Sequence, residues 1–351
     1  MRIAITGASG NVGTGLLRAL SADTEDHDIV GICRRPPISA PPYDRVTWHP
    51  IDLGADTAHD QLRTAFDKAD AVVHLAWAFQ PVRDGEQLHR TNYKGTRAVL
   101  DAAHSAGVTH LVHGSSIGAY APGATEPVDE TWATTGIPTS RYGTGKAEAE
   151  RMVERFTAEH PEITVSSVRP TLVTQSGAAA SFRALFFDPI VPEWLLGLLS
   201  SGRFPVLPLP AHFRVQLVHA DDLGDAIVRI LRRRAPGAFN IAADTVTIED
   251  LAAVAESRAL PVPSRLLRGL VAVLWRMRLL RLSPGWYDVG TESPLVETTR
   301  ARETLGWVPQ RTSSDAARDQ LRGLAGTEAL PSPALRRDRF LTEPYRRFGR
   351  S

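Results

Sequence analysis

The chain has 351 residues, of which 43% are hydrophobic and 23% charged, and its formal net charge is +1. This length exceeds what one compact core usually accommodates, so we expect one large domain with a smaller lobe. The near-neutral charge gives no overall reason to expect a nucleic-acid partner. A single cysteine, Cys33, cannot form an internal disulfide, which fits a reducing compartment. No apolar run reaches membrane-spanning length and no signal-like segment precedes the first predicted strand, so we expect a cytoplasmic protein.

The first half of the chain alternates short apolar or β-branched segments with helical patterns. Helices are predicted at residues 85–106 and 142–159. The alternation predicts a Rossmann-type doubly wound parallel sheet, an α/β fold. Most of the strands are apolar on successive residues, as expected when helices cover both faces of a sheet. The predicted strands are residues 2–6, 29–33, 46–49, 71–75, 110–114 and 164–169.

The pattern changes after Pro170. Residues 171–215 are rich in Pro, Phe and Leu without steady periodicity, which predicts long loops. Strands at 214–219 and 238–242, with a helix at 221–233, are predicted to return to the first domain. The predicted organisation is a dinucleotide-binding domain at 1–170 with returns near 214–242, a substrate lobe at 171–213 and 243–326, and a flexible tail at 327–351.

Three glycines follow the first predicted strand at a spacing of three and three. Gly7 permits a tight turn, Gly10 lets the backbone approach a pyrophosphate, and Gly13 allows close packing of helix on strand. The N-terminus of the following helix then faces the anion. The pattern predicts a dinucleotide site, and a plain strand-to-helix turn is the alternative. The residues predicted to contact the cofactor here are Gly7, Ser9, Gly10, Asn11, Val12 and Gly13.

The residues after the second predicted strand bear on the choice of cofactor. A carboxylate at this place would hold the ribose hydroxyls of NAD, but the chain has Arg34 and Arg35. Guanidinium groups pair well with a 2′-phosphate, which a carboxylate would repel. NADP is therefore predicted in preference to NAD, and two solvated loop arginines are the alternative.

A tyrosine and a lysine four residues apart, Tyr142 and Lys146, share one face of a predicted helix. A free tyrosine has a pKa near ~10, and a nearby cation favours the phenolate and lowers that pKa. Gly143 and Gly145 between them each cost roughly 1 kcal/mol in a helix, which indicates close approach of another backbone or a ligand. Ser116 follows a predicted strand, where it can donate to a substrate oxygen or simply cap a turn.

Together and in this order, the motifs resemble those of the extended short-chain dehydrogenase/reductase family, also described as the NAD-dependent epimerase/dehydratase family. The resemblance covers residues 1–325. TGASGNVG is similar to the family's TGxxGxxG, YGTGK is similar to its YxxxK, and SSIGAY places Ser116 four residues before a tyrosine. The further matching segments are Asp52-Leu53, HLAW at 74–77, Asn92 in TNYKGT, Arg169-Pro170, HADD at 219–222 and RETLGWVP at 302–309.

The resemblance implies a role for each matching residue. Tyr142 would be the acid/base, Lys146 would lower its pKa and hold the nicotinamide ribose, and Ser116 would orient the substrate oxygen. Asn92 would join this catalytic group. No metal is expected. The cofactor contacts implied by the resemblance are Asp52, Leu53, Leu75, Ala76, Trp77, Asn92, Tyr142, Lys146 and Pro170.

The sequence also departs from the family pattern. Gly145 stands where the family usually has Ser or Ala. Ser9-Gly10-Asn11 replaces the Gly-Ala-Gly-Phe common in sugar-nucleotide enzymes, and Arg34-Arg35 replaces the usual NAD-type carboxylate. The last two departures argue against an epimerase that recycles a tightly held NAD.

We therefore predict an NADP-dependent oxidoreductase that transfers a hydride to or from a hydroxyl/carbonyl group of a fairly apolar small molecule. A nucleotide-sugar epimerase or dehydratase with tightly bound NAD is one alternative, and a non-catalytic NADP-sensing regulator is another. Several aromatic residues of the lobe either line a hydrophobic pocket or form ordinary core. They are Phe182, Phe186, Phe187, Trp194, Phe204 and Phe213.

A predicted apolar helix at 263–282 carries five arginines and no acid. Three roles are open to it: a cover for the active site or a face of a homodimer, an amphipathic helix resting on a membrane surface, or a diphosphate-binding set of arginines. Besides the small-molecule substrate, a second copy of the chain and peripheral membrane contact are thus the partners considered.

Overall fold

The computed structural model of the protein describes residues 1–78, 85–186, 195, 197–198, 201–325 and 330–336. In chain order the strands are β1 (Arg2–Thr6), β2 (Asp28–Cys33), β3 (Val46–Pro50), β4 (Ala71–His74), β5 (His110–Gly114), β6 (Thr164–Pro170), β7 (Leu172–Thr174), β8 (Val206–Pro210), β9 (Arg214–His219), β10 (Gly237–Ile241), β11 (Thr245–Thr247) and β12 (Arg258–Val262).

The helices alternate with these strands in the first half of the chain and cluster in the second. They are α1 (Asn11–Ser21), α2 (Ala58–Ala65), α3 (Gly85–His89), α4 (Gly95–Ser105), α5 (Arg141–Glu159), α6 (Ala179–Phe186), α7 (Ala220–Arg233), α8 (Ile248–Val254), α9 (Ser264–Arg276), α10 (Pro284–Glu292), α11 (Thr299–Leu305) and α12 (Ser313–Ala325).

A seven-stranded sheet in the order β10-β6-β5-β4-β1-β2-β3 forms the centre of the fold. All of its strand pairs are parallel, which confirms the predicted doubly wound sheet. The register pairs Thr6 with His74 and His74 with His113, so β1, β4 and β5 end at the same level. The strand order reverses between β1 and β4, and in such sheets ligands bind at that point, beyond the carboxyl ends of the strands.

Apolar residues cover both faces of the sheet. In β1, Ile3 and Ile5 belong to the core layer shared with α1 and α7, whereas Ala4 belongs to the opposite layer, shared with α2 and α4. Successive residues of a strand point to opposite faces, so a run without alternation is what two covered faces require.

The predicted helix at 85–106 differs in detail from the structure, because a π-helical turn (Arg90–Lys94) separates α3 from α4. The predicted helix at 263–282 is shorter in the structure, since α9 ends at Arg276. Arg278 then adopts a positive φ of 61°, which a continuing helix does not allow.

The second half of the chain adds two small sheets. Strand β9 pairs with β7 in parallel and with β11 in antiparallel orientation, and β8 pairs with β12. Two segments that resemble family signatures contact each other here. The buried Trp307 donates from Nε1 to the Asp222 carbonyl at 3.0 Å, and the Asp222 carboxylate accepts from the backbone N–H groups of Gln310 and Arg311.

Residues 330–336, which fall within the tail predicted from residue 327 onward, contact residues at and near the glycine turn. Ser332 Oγ donates to the Ser9 carbonyl at 2.6 Å, and the Ile38 N–H donates to the Pro331 carbonyl at 3.1 Å. Leu335 is only 3% exposed. These contacts hold the segment against the glycine turn, and the remainder of the predicted tail lies outside the described residues.

Candidate active site

The glycine turn connects β1 to α1 through close contacts between backbone atoms. Gly7 has a φ of 74°, and its N–H donates to the Ile32 carbonyl at 2.9 Å. A Cβ at Gly7 would lie 2.7 Å from the Ala76 nitrogen, and one at Gly13 would lie 2.5 Å from the Ala8 oxygen. No larger residue fits either position without moving the backbone.

Gly10 is less crowded by the protein itself. Among the described residues, a Cβ there would meet the Gly7 oxygen alone, at 3.2 Å. Gly10 is the N-cap of α1, and the first N–H groups of a helix have no partner within the helix. These free donors and the positive end of the helix dipole make the turn suited to an anion.

A cavity of about 540 Å³ opens at the carboxyl ends of β1, β2, β4, β5 and β6. All of the predicted cofactor contacts except Asn92 lie in its wall, together with the predicted catalytic Ser116. The predicted residues in this wall are Gly7, Ser9, Gly10, Asn11, Val12, Gly13, Arg34, Arg35, Asp52, Leu53, Leu75, Ala76, Trp77, Ser116, Tyr142, Lys146 and Pro170.

Four further side chains in this wall were not among the predicted site residues. Within the described part of the chain, Ser115 Oγ, Thr171 Oγ1, Ser293 Oγ and Gln320 Nε2 are buried and have no hydrogen-bond partner. Buried polar atoms are normally paired, so four unpaired ones in one cavity fit a ligand rich in polar groups, as a dinucleotide is. Ser115 is the first residue of SSIGAY and Thr171 follows Arg169-Pro170, whereas nothing in the local sequence marks Ser293 or Gln320.

The cationic end of the cavity lies beyond β2. Arg34 and Arg35 are exposed and form part of the wall. Cys33 precedes them, and burial raises the pKa of its thiol, while hydrogen bonds with Ser9 and the Arg35 backbone act in the opposite direction. The backbone that carries the two arginines is thus tied to the glycine turn through Cys33 and Ser9, and both arginines are exposed.

Ser116 and Tyr142 lie together on the opposite side of the cavity. Ser116 Oγ accepts from the Gly118 N–H at 3.0 Å, which caps the short turn Ile117–Ala119. The same hydroxyl pairs with Tyr142, and a Cβ at Gly118 would lie 2.9 Å from the tyrosine ring. Ser116 therefore both caps the turn and contacts the proposed acid/base.

Lys146 lies behind Tyr142 on the same face of α5. Its Nζ donates to the Gly114 carbonyl at 2.7 Å and stands 3.8 Å from the centroid of a Trp77 ring. Burial lowers the pKa of Lys146 to about 7, against an upward effect of the Glu150 carboxylate. The lysine is thus fixed at the carboxyl end of β5.

The expected depression of the tyrosine pKa is not present in this structure. Burial raises the pKa of Tyr142 to about 12, and only the hydrogen bond with Ser116 opposes the increase. The physical reason is that both groups are desolvated and the Lys146 ammonium is directed at a carbonyl and an indole ring.

Arg169 supports this arrangement from β6. It forms a two-point contact with Glu150 of α5, at 2.8 and 3.0 Å, and donates to the Tyr120 hydroxyl at 3.1 Å. The paired guanidinium is buried and lies outside the cavity wall, whereas the next residue, Pro170, lines it. The role of Arg169 is to join helix and sheet beneath Lys146.

Two buried histidines, His74 and His113, lie near the carboxyl ends of β4 and β5. His74 pairs with Thr6 at 2.7 Å and with Thr96 at 3.0 Å. His113, whose ring centroid is 5.8 Å from that of His74, has no hydrogen-bond partner on either nitrogen among the described residues. Burial lowers the pKa of His113 to about 3, with the nearby Lys146 adding to the shift.

Aromatic side chains form the far wall of the cavity. The Trp286 ring of α10 stands 4.6 Å from the Tyr142 ring and 6.1 Å from that of Phe186, centroid to centroid. Phe182, Phe186 and Phe213 line the cavity. Lining a pocket is one of the two roles considered for them from the sequence, the other being ordinary core. Phe204 does not belong to this wall, and the predictions for Phe187 and Trp194 fall outside the described residues.

Trp286 also separates this cavity from a second one of about 730 Å³, whose wall includes Trp77, Tyr142, Arg268 and Trp275. Asp288, two residues further along α10, accepts from Arg268 of α9 at 2.7 and 2.9 Å and so ties the two helices together.

A family model described as "NAD dependent epimerase/dehydratase family" matches residues 3–242. The chain belongs to this family. The match confirms the family resemblance noted in the sequence.

Two individual proteins are similar in sequence to parts of this chain. The chain is 29% identical over 233 residues to 2'-dehydrokanamycin reductase of Streptomyces kanamyceticus, covering 66% of this chain and 58% of that protein. It is 31% identical over 174 residues to 4-hydroxy-2-methyl-3-oxo-4-farnesyl-3,4-dihydroquinoline-1-oxide ketoreductase of Stigmatella aurantiaca, covering 49% of this chain and 50% of that protein. The matches thus span between half and three fifths of the length of these two relatives.

Among solved structures, UDP-glucose 4-epimerase from Thermotoga maritima superimposes with a TM-score of 0.68 at 17% identity, over 92% of this chain and 98% of the epimerase. At this identity the similarity shows the shared fold. Among the described residues, no helix combines the length and apolar character needed to cross a bilayer.

Asn92, a position matching the epimerase/dehydratase family, has a specific place in the structure. Its Oδ1 accepts from the Ala78 N–H at 2.6 Å, and its Nδ2 donates to the Ala78 carbonyl at 2.9 Å. Asn92 thus fixes the backbone that follows Trp77. It lines the second cavity rather than the one around the glycine turn, unlike the other predicted residues.

The two glycines between Tyr142 and Lys146 differ in their surroundings. A Cβ at Gly143 would lie 2.9 Å from the Gly118 oxygen, so close approach of another backbone explains this glycine. At Gly145, where the family usually has Ser or Ala, a Cβ would meet only the edge of Trp77, at 3.5 Å. The departure at Gly145 is therefore one that the structure does not require.

Proposed function

We propose that the protein transfers a hydride between NADP(H) and a hydroxyl/carbonyl group of a fairly apolar small molecule. The observation that carries this proposal is the position of Tyr142. Its hydroxyl pairs with Ser116 and its ring packs on Trp286, at the place where the polar cavity of the glycine turn meets an aromatic wall.

The residues of the cavity fit the cofactor as follows. The glycine turn and the start of α1 would hold the diphosphate, and Arg34 with Arg35 would pair with a 2′-phosphate. The unpaired hydroxyls of Ser115 and Thr171 would bond polar groups of the cofactor. When bound, nicotinamide supplies the hydride chemistry, while the protein supplies position and the proton.

The pKa of Tyr142 favours one direction of proton transfer. With a pKa raised to about 12 by burial, its phenol is protonated at neutral pH and can donate to a substrate carbonyl oxygen. Ser116 Oγ, already bonded to Tyr142, would orient the same oxygen. Lys146, four residues along the same face of α5, would in its ammonium form stabilise the tyrosinate left behind. Reduction of a carbonyl is thus the direction that these groups support.

The aromatic wall supports an apolar substrate. Phe182, Phe186, Phe213 and Trp286 offer apolar surface with few polar partners, as in sites for apolar ligands. The two relatives described above are named as a reductase and a ketoreductase, and the name of the second includes a farnesyl group. Both names agree with carbonyl reduction, and the second with an apolar substrate.

The test of the mechanism is Tyr142→Phe, with NADPH consumption measured over a panel of carbonyl compounds. We expect kcat to fall by about 10³-fold, because the general acid is lost, while the Kd for NADPH changes little. Tyr287→Phe is the matched control, since the Tyr287 hydroxyl pairs with Ser264 outside the dinucleotide cavity. Turnover retained in Tyr142→Phe would refute the mechanism.

The test of the cofactor is the double variant Arg34→Glu/Arg35→Glu, with fluorescence titration of NADPH and NADH. We expect NADPH affinity to fall about tenfold or more, because two charge-assisted contacts are lost, with NADH affinity nearly unchanged. Equal losses for both cofactors would remove the argument for NADP. NAD that copurifies and survives dialysis would instead favour an epimerase, and NADPH binding without turnover would favour a sensor.

A further inference from the structure

Helix α9 carries an apolar stripe on its outer side. Leu266, Leu270, Val273 and Met277, the last at its C-cap, are 66%, 55%, 55% and 62% exposed. Their spacing of four, three and four residues places them within an arc of about 60° on a helix of 3.6 residues per turn. Apolar exposure is therefore concentrated along one line of the helix rather than scattered.

Positive charge accompanies this stripe. Arg265 and Arg276 are exposed and lie on one flank, about 90–110° from the centre of the stripe by helix geometry. Arg278, just past the helix, is exposed as well. Residues 263–282 contain no acid, so no charge within the segment offsets the arginines.

We propose that α9 binds the surface of an anionic lipid bilayer, with the stripe among the acyl chains and the arginines at the phosphates. An apolar face with a basic flank is the pattern of helices that lie in the plane of a membrane interface. Each arginine near an anionic leaflet adds to the attraction. No described helix crosses a bilayer, so the contact is at the surface.

A second copy of the chain fits this face less well. In a two-fold interface the same patch of both copies meets. The arginines that flank the stripe of one copy would therefore face those that flank the stripe of the other. With no acid in the segment to pair with them, like charges would be brought together while being desolvated. Anionic phosphates complement the same charges.

Contact of α9 with a bilayer would affect how substrate reaches Tyr142, because the inner side of the helix borders a cavity. Trp275 and Arg268 line the second cavity, whose wall also includes Tyr142 and Trp286. The lipid-facing helix is therefore the outer wall of the space next to the proposed acid. This step rests on the proposed function: an apolar substrate dissolved in the bilayer would approach Tyr142 past α9.

The test is flotation of the full-length protein with vesicles, without cofactor or substrate, so that it does not depend on the proposed reaction. Vesicles of phosphatidylcholine alone are compared with vesicles that also contain phosphatidylglycerol. We expect binding to the anionic vesicles only, weakened by salt. Leu270→Glu/Val273→Glu should abolish it, and Arg265→Glu/Arg276→Glu should lower the partition coefficient about tenfold or more.

Val308→Glu is the matched control, because Val308 is 53% exposed and lies outside α9. It should bind like the unaltered chain, and circular dichroism with thermal unfolding should show all variants folded. Equal binding by the Val308 and Leu270/Val273 variants would overturn the proposal, as would an absence of binding to anionic vesicles. Sedimentation showing a dimer that Leu270→Glu/Val273→Glu dissociates would assign the face to a second copy instead.

Discussion

The glycine turn and the aromatic wall border the same cavity but are held in place by different kinds of contact. At the turn, Gly7 and Gly13 lie against backbone atoms of Ala76 and Ala8, which have no freedom to move aside. At the wall, Trp286 touches Tyr142 and Phe186 through side chains. Rotamers and small helix shifts can alter contacts of the second kind.

The difference explains how one fold serves many substrates. The side proposed to receive the cofactor is specified by residues that must be small, and such a requirement is visible in the sequence. The side that meets the substrate is specified by side chains from segments far apart in the chain, which can change without disturbing the turn.

The largest effect that would test this comparison is expected for Gly13→Ala. The added Cβ would lie 2.5 Å from the Ala8 oxygen, so we expect a loss of roughly 3 kcal/mol or more in the free energy of unfolding, measured by urea denaturation. Gly10→Ala is the comparison, since its Cβ has 3.2 Å to the nearest atom. It should unfold nearly like the unaltered chain yet bind NADPH poorly, and normal binding would show that Gly10 does not face the cofactor.

We expect low pH to lower the free energy of unfolding through protonation of His113, which lies in β5. Its folded-state pKa of about 3 lies below its ordinary value of 6.5, so the unfolded chain binds a proton in that window and the native chain does not. Stability is then lost as pH falls from about 6.5 toward 3, on the order of 3 kcal/mol or more for this residue. His113→Leu should flatten that part of the stability-versus-pH curve, and an unaltered slope in this variant would contradict the assignment.

On the substrate side, Trp286→Leu should separate the two binding events. Loss of the ring that stands 4.6 Å from Tyr142 should raise KM for the carbonyl substrate about tenfold, with the Kd for NADPH little changed. Trp132→Leu, at an exposed tryptophan outside the cavity wall, should leave both constants as they are. If NADPH binding fell with KM, the two walls would not be independent.

The smallest effect is expected for Gly145→Ala. Its Cβ would make an ordinary contact with Trp77 at 3.5 Å, and alanine is favoured over glycine in a helix by roughly 1 kcal/mol. Thermal unfolding should therefore show a small gain in stability. Gly143→Ala, only two residues away, should lose stability, because its Cβ would lie 2.9 Å from the Gly118 oxygen. Equal effects of the two substitutions would contradict the packing described for α5.

Much of the architecture could be predicted from the sequence, because the strands of a covered parallel sheet are apolar on successive residues, as in β1. The glycine turn and the Tyr142 motif were visible for the same local reason. The pKa of Tyr142 was not, since it depends on burial by Trp286, which lies in a different helix. Ser293 and Gln320 could not be found either, because only the folded chain shows that their polar atoms lack partners.

Residues 330–336 have a consequence for how the cavity is completed. Ser332 binds the carbonyl of Ser9, and Pro333, Ala334 and Leu335 form part of the wall of the cofactor cavity. The ribosome makes this segment more than three hundred residues after the glycine turn, so the cavity stays incomplete while the intervening residues are synthesised. We therefore expect tight dinucleotide binding to be one of the last events of folding.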